Sequence, residues 1–268
     1  MYPYVRFGPI VLWSYGVMMG LAFAAGYWLG EKDFHRRGIP IPMGVFLPGL
    51  VVGGILGGRL DHLLVVQLLI RHEGVAAFGP GFFTSGYTYF GGLLGGFMAF
   101  VAVSRIYQVP LLKILDGSAI VSLCYGIGRI GCFLAGDGDY GRPTHLPWGL
   151  SFPHGLVPTT LHVHPLPLYE TAYAFAIFFL LWPRGRTEVY SRPYGTILAD
   201  VLLWTGICRF CTQWVSLNAR IFAGLTEAQL VSIAFMLGAF LLKKHFKQMK
   251  VTDRSSHDSI KEMSPNVG

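Results

Sequence analysis

The sequence predicts an all-α polytopic membrane protein of about seven transmembrane helices, with its N-terminus outside and its C-terminus in the cytoplasm. Three observations carry that prediction. Charged residues make up only 13% of the 268-residue chain, about half of what a soluble domain carries. Its 35 glycines suit helices that approach one another closely in lipid. Apolar runs near 9–30, 43–69, 87–107, 112–135, 166–182, 194–215 and 225–242 each approach the roughly 20 residues needed to cross a bilayer core.

Taken in order, the first run follows a single basic residue, Arg6, and contains Trp13 and Tyr15. That thin positive flank and those aromatics argue against a cleaved signal peptide, despite the small-x-small "AFA" at 22–24. The second run is broken by "PGLVVGGILGGRLDH" (48–62). The third opens on "YTYFGGLLGGF" (87–97), where Gly91, Gly92, Gly95 and Gly96 leave one helix face bare. Close helix packing is expected at Gly92 and Gly96, and bare backbone near a helix start also lets a lipid headgroup reach N–H groups. The fourth run ends in "YGIGRIGCFLAGDGDYGRPT" (125–144), which sets an arginine, several glycines and two aspartates in an otherwise apolar chain. The fifth opens on "LYE" (168–170), the sixth contains "CRFC" (208–211), and the seventh merges into a polar Ser/Lys-rich tail.

Seven spans place the termini on opposite sides, and basic residues orient them. Lys32, Arg36, Arg37, Arg105, Lys113, Arg184, Arg186, Arg192 and six residues of the tail fall on one side. Arg6, Arg71, Arg142 and Arg220 fall on the other. By the positive-inside rule the first side is cytoplasmic. Residues 1–243 are thus read as one transmembrane domain with an outer loop at 136–165, and 244–268 as a cytoplasmic tail expected to be disordered. The net charge of +7 resides mainly in the inner loops and tail, where anionic headgroups are the natural partners and nucleic acid is not required.

Three arginines remain inside or at the ends of spans: Arg59, Arg129 and Arg209. An arginine in a membrane needs a partner or a water-filled cavity, and its planar fork suits phosphate. The abundant phosphate there is the lipid headgroup. Structural pairing is the alternative, with Asp61 close to Arg59 in sequence and Asp116 available to another arginine. Cys124, Cys132, Cys208 and Cys211 all fall within spans and suggest neither a disulfide nor a metal site. His162 and His164 form an HxH pair with no third ligand at a telling distance. No cofactor is expected.

These blocks together resemble the bacterial phosphatidylglycerol–prolipoprotein diacylglyceryl transferase family. The carriers are "WSYG" (13–16), "GGRL" (57–60), "FGGLLGG" (90–96), "LDG" with "GIGRIGCF" (115–133), "YGRPTHLPWG" (140–149), "HPLPLYE" (164–170), "GICRF" (206–210) and "EAQLVS" (227–232). The resemblance implies an enzyme of the bacterial inner membrane that moves the diacylglyceryl group of phosphatidylglycerol onto the cysteine thiol of a prolipoprotein signal peptide. A thioether forms and glycerol phosphate leaves. Arg129 and Arg209 match the family's two key arginines, and Tyr15 its first-span tyrosine. Tyr169 and Glu170 match its "YE", where an ion pair or hydrogen bond to an arginine is expected. Arg59, Phe90, Gly91, Gly92, Cys132 and Gly141 complete the implied substrate-binding set. The chain departs from the pattern at several places. Phe90 stands where the family has histidine, Cys132 where it has asparagine, Thr205 where a tyrosine usually precedes "GxxRF", and Pro167 for a glutamine. Since phenylalanine takes no proton, either Asp137, Asp139 or His62 is the base, or the thiol arrives partly ionised, or the reaction differs. A paralogue acting on another acceptor or lipid, and a non-enzymatic lipid-binding protein, are the alternatives.

Overall fold

The computed structural model describes residues 2–8, 10–64, 89–187 and 192–262. Helix occupies most of the described part of each predicted span, in keeping with a polytopic membrane protein. Among the described residues, four helices are long and apolar enough to cross a bilayer: Met43–Leu64, Ser118–Ala135, Leu166–Gly185 and Glu227–Gln248.

The protein is mostly helical and not all-α, because among the described residues three two-stranded antiparallel hairpins accompany the helices. The first pairs β1 (Tyr4–Phe7) with β2 (Ile10–Trp13), in the register Tyr4 to Trp13 and Arg6 to Val11. Helix α1 therefore spans Ser14–Arg36 and starts five residues later than the apolar run suggests. Aromatic and β-branched residues on either side of a Gly–Pro turn favour a hairpin over a helix.

The chain forms two compact units. One is Tyr27–Ile114. It contains α2 (Met43–Asp61) and α3 (Tyr89–Ile106). These two helices touch backbone to backbone. A methyl group at Gly57 would lie 2.3 Å from the Gly91 carbonyl oxygen, and one at Gly95 2.2 Å from that of Gly53. Gly92 and Gly96, the expected packing positions, are looser, with nearest atoms at 3.4 and 3.7 Å. Gly95→Ala is thus expected to lower the thermal midpoint in detergent by several degrees, since backbone cannot retreat as a side chain can. Gly96→Ala is expected to leave it within about a degree. Equal midpoints for the two variants would refute this packing. In the same unit, Asp33 accepts hydrogen bonds from Arg36 and Arg37 at the end of α1.

The other unit comprises Met1–Gly26 and Leu115–Gly268. The predicted fourth span is two helices, α4 (Leu111–Leu115), which belongs to the first unit up to Ile114, and α5 (Ser118–Ala135) in this one. The break serves Asp116, whose carboxylate accepts the N–H groups of Gly195 at 2.8 Å, Ile197 at 3.0 Å and Leu198 at 3.3 Å. These are orphan donors at the start of α7 (Thr196–Thr212), where an acid also suits the helix dipole. Glycines again bring helices together. Gly126 of α5 admits the Phe175 ring of α6 (Leu166–Thr187), and Gly131 admits Tyr15 and Met18 of α1.

Helix α5 ends at Gly136, whose φ of +61° closes the helix with an N–H bond to the Cys132 carbonyl. The 136–165 loop follows and is ordered by β3 (Leu150–Phe152) and β4 (Thr159–Val163). It packs on Tyr140, Phe152 and Val163, with the Tyr140 and Phe152 rings stacked at 4.2 Å. The Tyr140 hydroxyl sits 2.6 Å from the carbonyl oxygens of both Gly136 and Val157. Burial pushes the Tyr140 phenol above its ordinary value, and the Asp137 carboxylate adds to the rise. This donor therefore stays protonated at neutral pH, and its contribution is lost only in strong alkali.

Helix α8 starts behind β5 (Arg220–Phe222) and β6 (Leu225–Thr226), with a reciprocal cap. The Thr226 hydroxyl accepts from Gln229 N–H at 3.2 Å, and the Gln229 side chain from Thr226 N–H at 3.0 Å. That cap accounts for the "TEAQ" part of the seventh span. α8 runs Glu227–Glu262, so helix continues through most of the polar segment that composition suggests is disordered. No glycine or proline interrupts residues 239–262.

Candidate active site

Helical spacing gathers the polar groups of the glycine-rich segment on one face. Tyr125, Arg129 and Cys132 follow one another at intervals of four and three on α5, and Glu170 and Tyr173 at three on α6. Gly126 lets these two helices close together, and Arg209 enters from α7.

Glu170 is the hub and is 1% exposed. Its Oε2 lies 2.5 Å from Arg129 Nε, an ion pair that is not aligned as a hydrogen bond. The same oxygen accepts the Tyr125 hydroxyl at 2.6 Å. Its Oε1 accepts from Arg209 Nη1 at 3.2 Å, and that nitrogen also donates to the Tyr125 oxygen at 2.5 Å. The Tyr125 hydroxyl thus stands between Arg209 and one carboxylate oxygen. Tyr173 stacks on Tyr125 with ring centroids 6.4 Å apart.

Toward the C-terminal end of α5, Arg129 Nη1 donates to Asp139 Oδ2 at 2.5 Å and to Cys132 Sγ at 3.5 Å. The Asp139 side chain is 50% exposed, against 14% for Arg129. Asp137 accepts the Asp139 N–H at 3.3 Å. The Cys132 sulfur and the two aspartates place ligand atoms within 4.8 Å of one another, yet Arg129 already supplies this cluster with a cation. Tyr15 packs its ring against Gly131, one residue before Cys132. The structure therefore gathers Tyr15, Arg129, Cys132, Asp137, Asp139, Glu170 and Arg209 in one unit.

Charge decides what this arrangement attracts. Two guanidiniums face a single fully buried carboxylate, leaving one positive charge at the core. The half-exposed Asp139 offsets it only weakly through solvent screening. Such a core attracts an anion, and the arginine forks offer planar donor edges for phosphate oxygens.

Other residues singled out in the sequence have different surroundings. The Tyr169 hydroxyl accepts from Trp148 Nε1 at 2.8 Å and lies 3.1 Å from His164 Nδ1, so of the "YE" pair Glu170 meets the arginines. His162 Nδ1 lies 3.2 Å from the Gly149 carbonyl oxygen. Gly141 donates its N–H to the His164 carbonyl, and a side chain there would meet His164 Cβ at 2.6 Å and Val215 O at 2.7 Å. Glycine at 141 is required by close packing. Arg59 and Gly91 belong to the other unit, where Arg59 is buried and lies 3.3 Å from His62 Nδ1. Phe90 is in the first turn of α3, but its side chain lies outside the described residues. Sequence reasoning missed Tyr125 and Tyr173. The available signal was spacing, since Tyr125 precedes Arg129 by one helical turn.

The family description prolipoprotein diacylglyceryl transferase matches residues 3–243. A Clostridium tetani protein named phosphatidylglycerol–prolipoprotein diacylglyceryl transferase is 33% identical over 69% of this chain and 74% of its own. A Nitrosomonas europaea protein of the same name is 34% identical over 77% of this chain and 74% of its own. One from Chromohalobacter salexigens is 31% identical over 93% of each. The family match takes in the arginine–glutamate core and the helices that carry it, and the chain belongs to the prolipoprotein diacylglyceryl transferase family.

Proposed function

We propose that this protein transfers the diacylglyceryl group of phosphatidylglycerol to the cysteine thiol of prolipoproteins. The single observation that carries the reading is the core of Arg129 and Arg209 joined by Glu170. In the reaction the thiolate sulfur attacks the glycerol carbon that bears the phosphate. The C–O bond breaks, the S–C thioether forms, and glycerol phosphate leaves with a second negative charge. Arginines aimed at that phosphate stabilise the departing dianion more than the bound diester. Asp139 holds the edge of Arg129 that a phosphate oxygen takes when lipid binds, and its exposure lets it swing away. Asp137, held through the Asp139 backbone and not by the arginine, is the better placed of the two to receive the thiol proton. Tyr15 and Cys132 line the approach to Arg129.

The protein sits in the bacterial cytoplasmic membrane with seven spans, its N-terminus and the 136–165 loop outside and α8 ending inside. The basic-residue bias supports this orientation. A tag inserted at Pro153 is expected to be cut by external protease in spheroplasts; protection of that tag inverts the topology.

The function is tested by depletion of the resident transferase in a bacterial host. Expression of this chain is expected to restore growth and diacylglyceryl modification of a reporter prolipoprotein, read by mass. Stable expression with an unmodified reporter would sink the reading.

A further inference from the structure

We propose that Tyr125 is a positioning residue that keeps Arg209 from collapsing onto Glu170 and so holds its guanidinium available to the lipid phosphate. This rests on the reading that Arg209 binds that phosphate.

The geometry separates the two arginines. Arg129 lies against Glu170 Oε2 at 2.5 Å, whereas Arg209 stands off Oε1 at 3.2 Å. What Arg209 meets closely is the Tyr125 oxygen, at 2.5 Å. A phenol can act in this way because it is donor and acceptor at once. It gives its proton to Glu170 Oε2 at 2.6 Å, reducing the carboxylate's demand for the second cation. It offers its lone pair to Arg209 without adding charge. Remove that oxygen and a second Arg209 N–H is drawn to the vacated carboxylate edge, as a two-point ion pair. The cation would then be spent on Glu170. The ring is also fixed, by the stack on Tyr173 at 6.4 Å, so the hydroxyl has little freedom to leave. Phenylalanine at 125 keeps the ring and its stack and deletes only the oxygen.

The position of Thr205 provides a rescue. It precedes Arg209 by one turn of α7 and is partly exposed. A tyrosine there projects on the Arg209 face and can return a phenol to that guanidinium from the other side.

The experiment compares purified wild type, Tyr125→Phe and Tyr125→Phe/Thr205→Tyr in detergent. It measures binding of short-chain phosphatidylglycerol by calorimetry, thermal midpoint, and transfer to a lipobox peptide. Tyr125→Phe is expected to bind the lipid about tenfold more weakly, as loss of one charge-assisted hydrogen bond implies, with its midpoint within a few degrees of wild type. The double variant is expected to recover at least half of the lost affinity. Wild-type affinity in Tyr125→Phe overturns the proposal. So does a Tyr125→Phe variant with a low midpoint and an affinity that Thr205→Tyr fails to raise, which makes Tyr125 structural only. Failure of the functional reading looks different: the wild type itself then binds lipid without transferring, while the affinity comparison at Tyr125 still stands.

Discussion

Arg129→Lys is expected to lower kcat/KM for diacylglyceryl transfer by about 100-fold, roughly the loss seen when one donor to a developing oxyanion is removed. The substitution preserves the charge, so the loss tests the fork and not the field. Arg129 uses Nε toward Glu170 and Nη1 toward Asp139 and Cys132. A lysine has a single nitrogen at the end of its chain, and its three donors cannot serve a buried carboxylate and a phosphate on separate edges. If the ammonium settles on Glu170, the lipid phosphate loses its partner. Arg209→Lys is expected to fall in the same direction. Lipidation assays in phosphatidylglycerol liposomes give the comparison, and wild-type rates for both lysine variants would exclude phosphate clamping by these residues.

Glu170→Gln is expected to affect stability as strongly as Arg129→Lys affects rate. It leaves the shape of the side chain and removes the one fully buried counter-charge between two guanidiniums. Breaking a buried ion pair from one side costs about 3 to 5 kcal/mol; the 30% exposure of Arg209 places the expectation at the lower end of that range. The variant should melt several degrees below wild type in neutral detergent. An anionic phospholipid should then raise its midpoint more than it raises that of the wild type, because the phosphate supplies the missing charge. A Glu170→Gln protein as stable as wild type would remove Glu170 from the centre of the site.

How legible the site was differs from residue to residue. Arg129 and Arg209 are legible because a charge within an apolar run is conspicuous in any sequence. Glu170 is legible only through resemblance, since a glutamate at the start of an apolar run resembles an ordinary boundary residue. Tyr125 is illegible. A tyrosine in a membrane span is common, and nothing local shows that it lies between an arginine 84 positions away and a glutamate 45 positions away. The same holds for the cap that the Asp116 carboxylate places on α7 from 79 residues away.

The fold divides along the same physical line. Membrane class, the predominance of apolar helices and the presence of buried cations follow from the sequence by itself, because hydropathy and the cost of desolvating charge are properties of each short segment. The hairpins, the Gly57–Gly95 contact that is tighter than those at the expected Gly92 and Gly96, and the single carboxylate shared by two arginines are decided only by tertiary structure. Each depends on which backbone face meets which partner, and a glycine or an arginine carries no local mark of that partner.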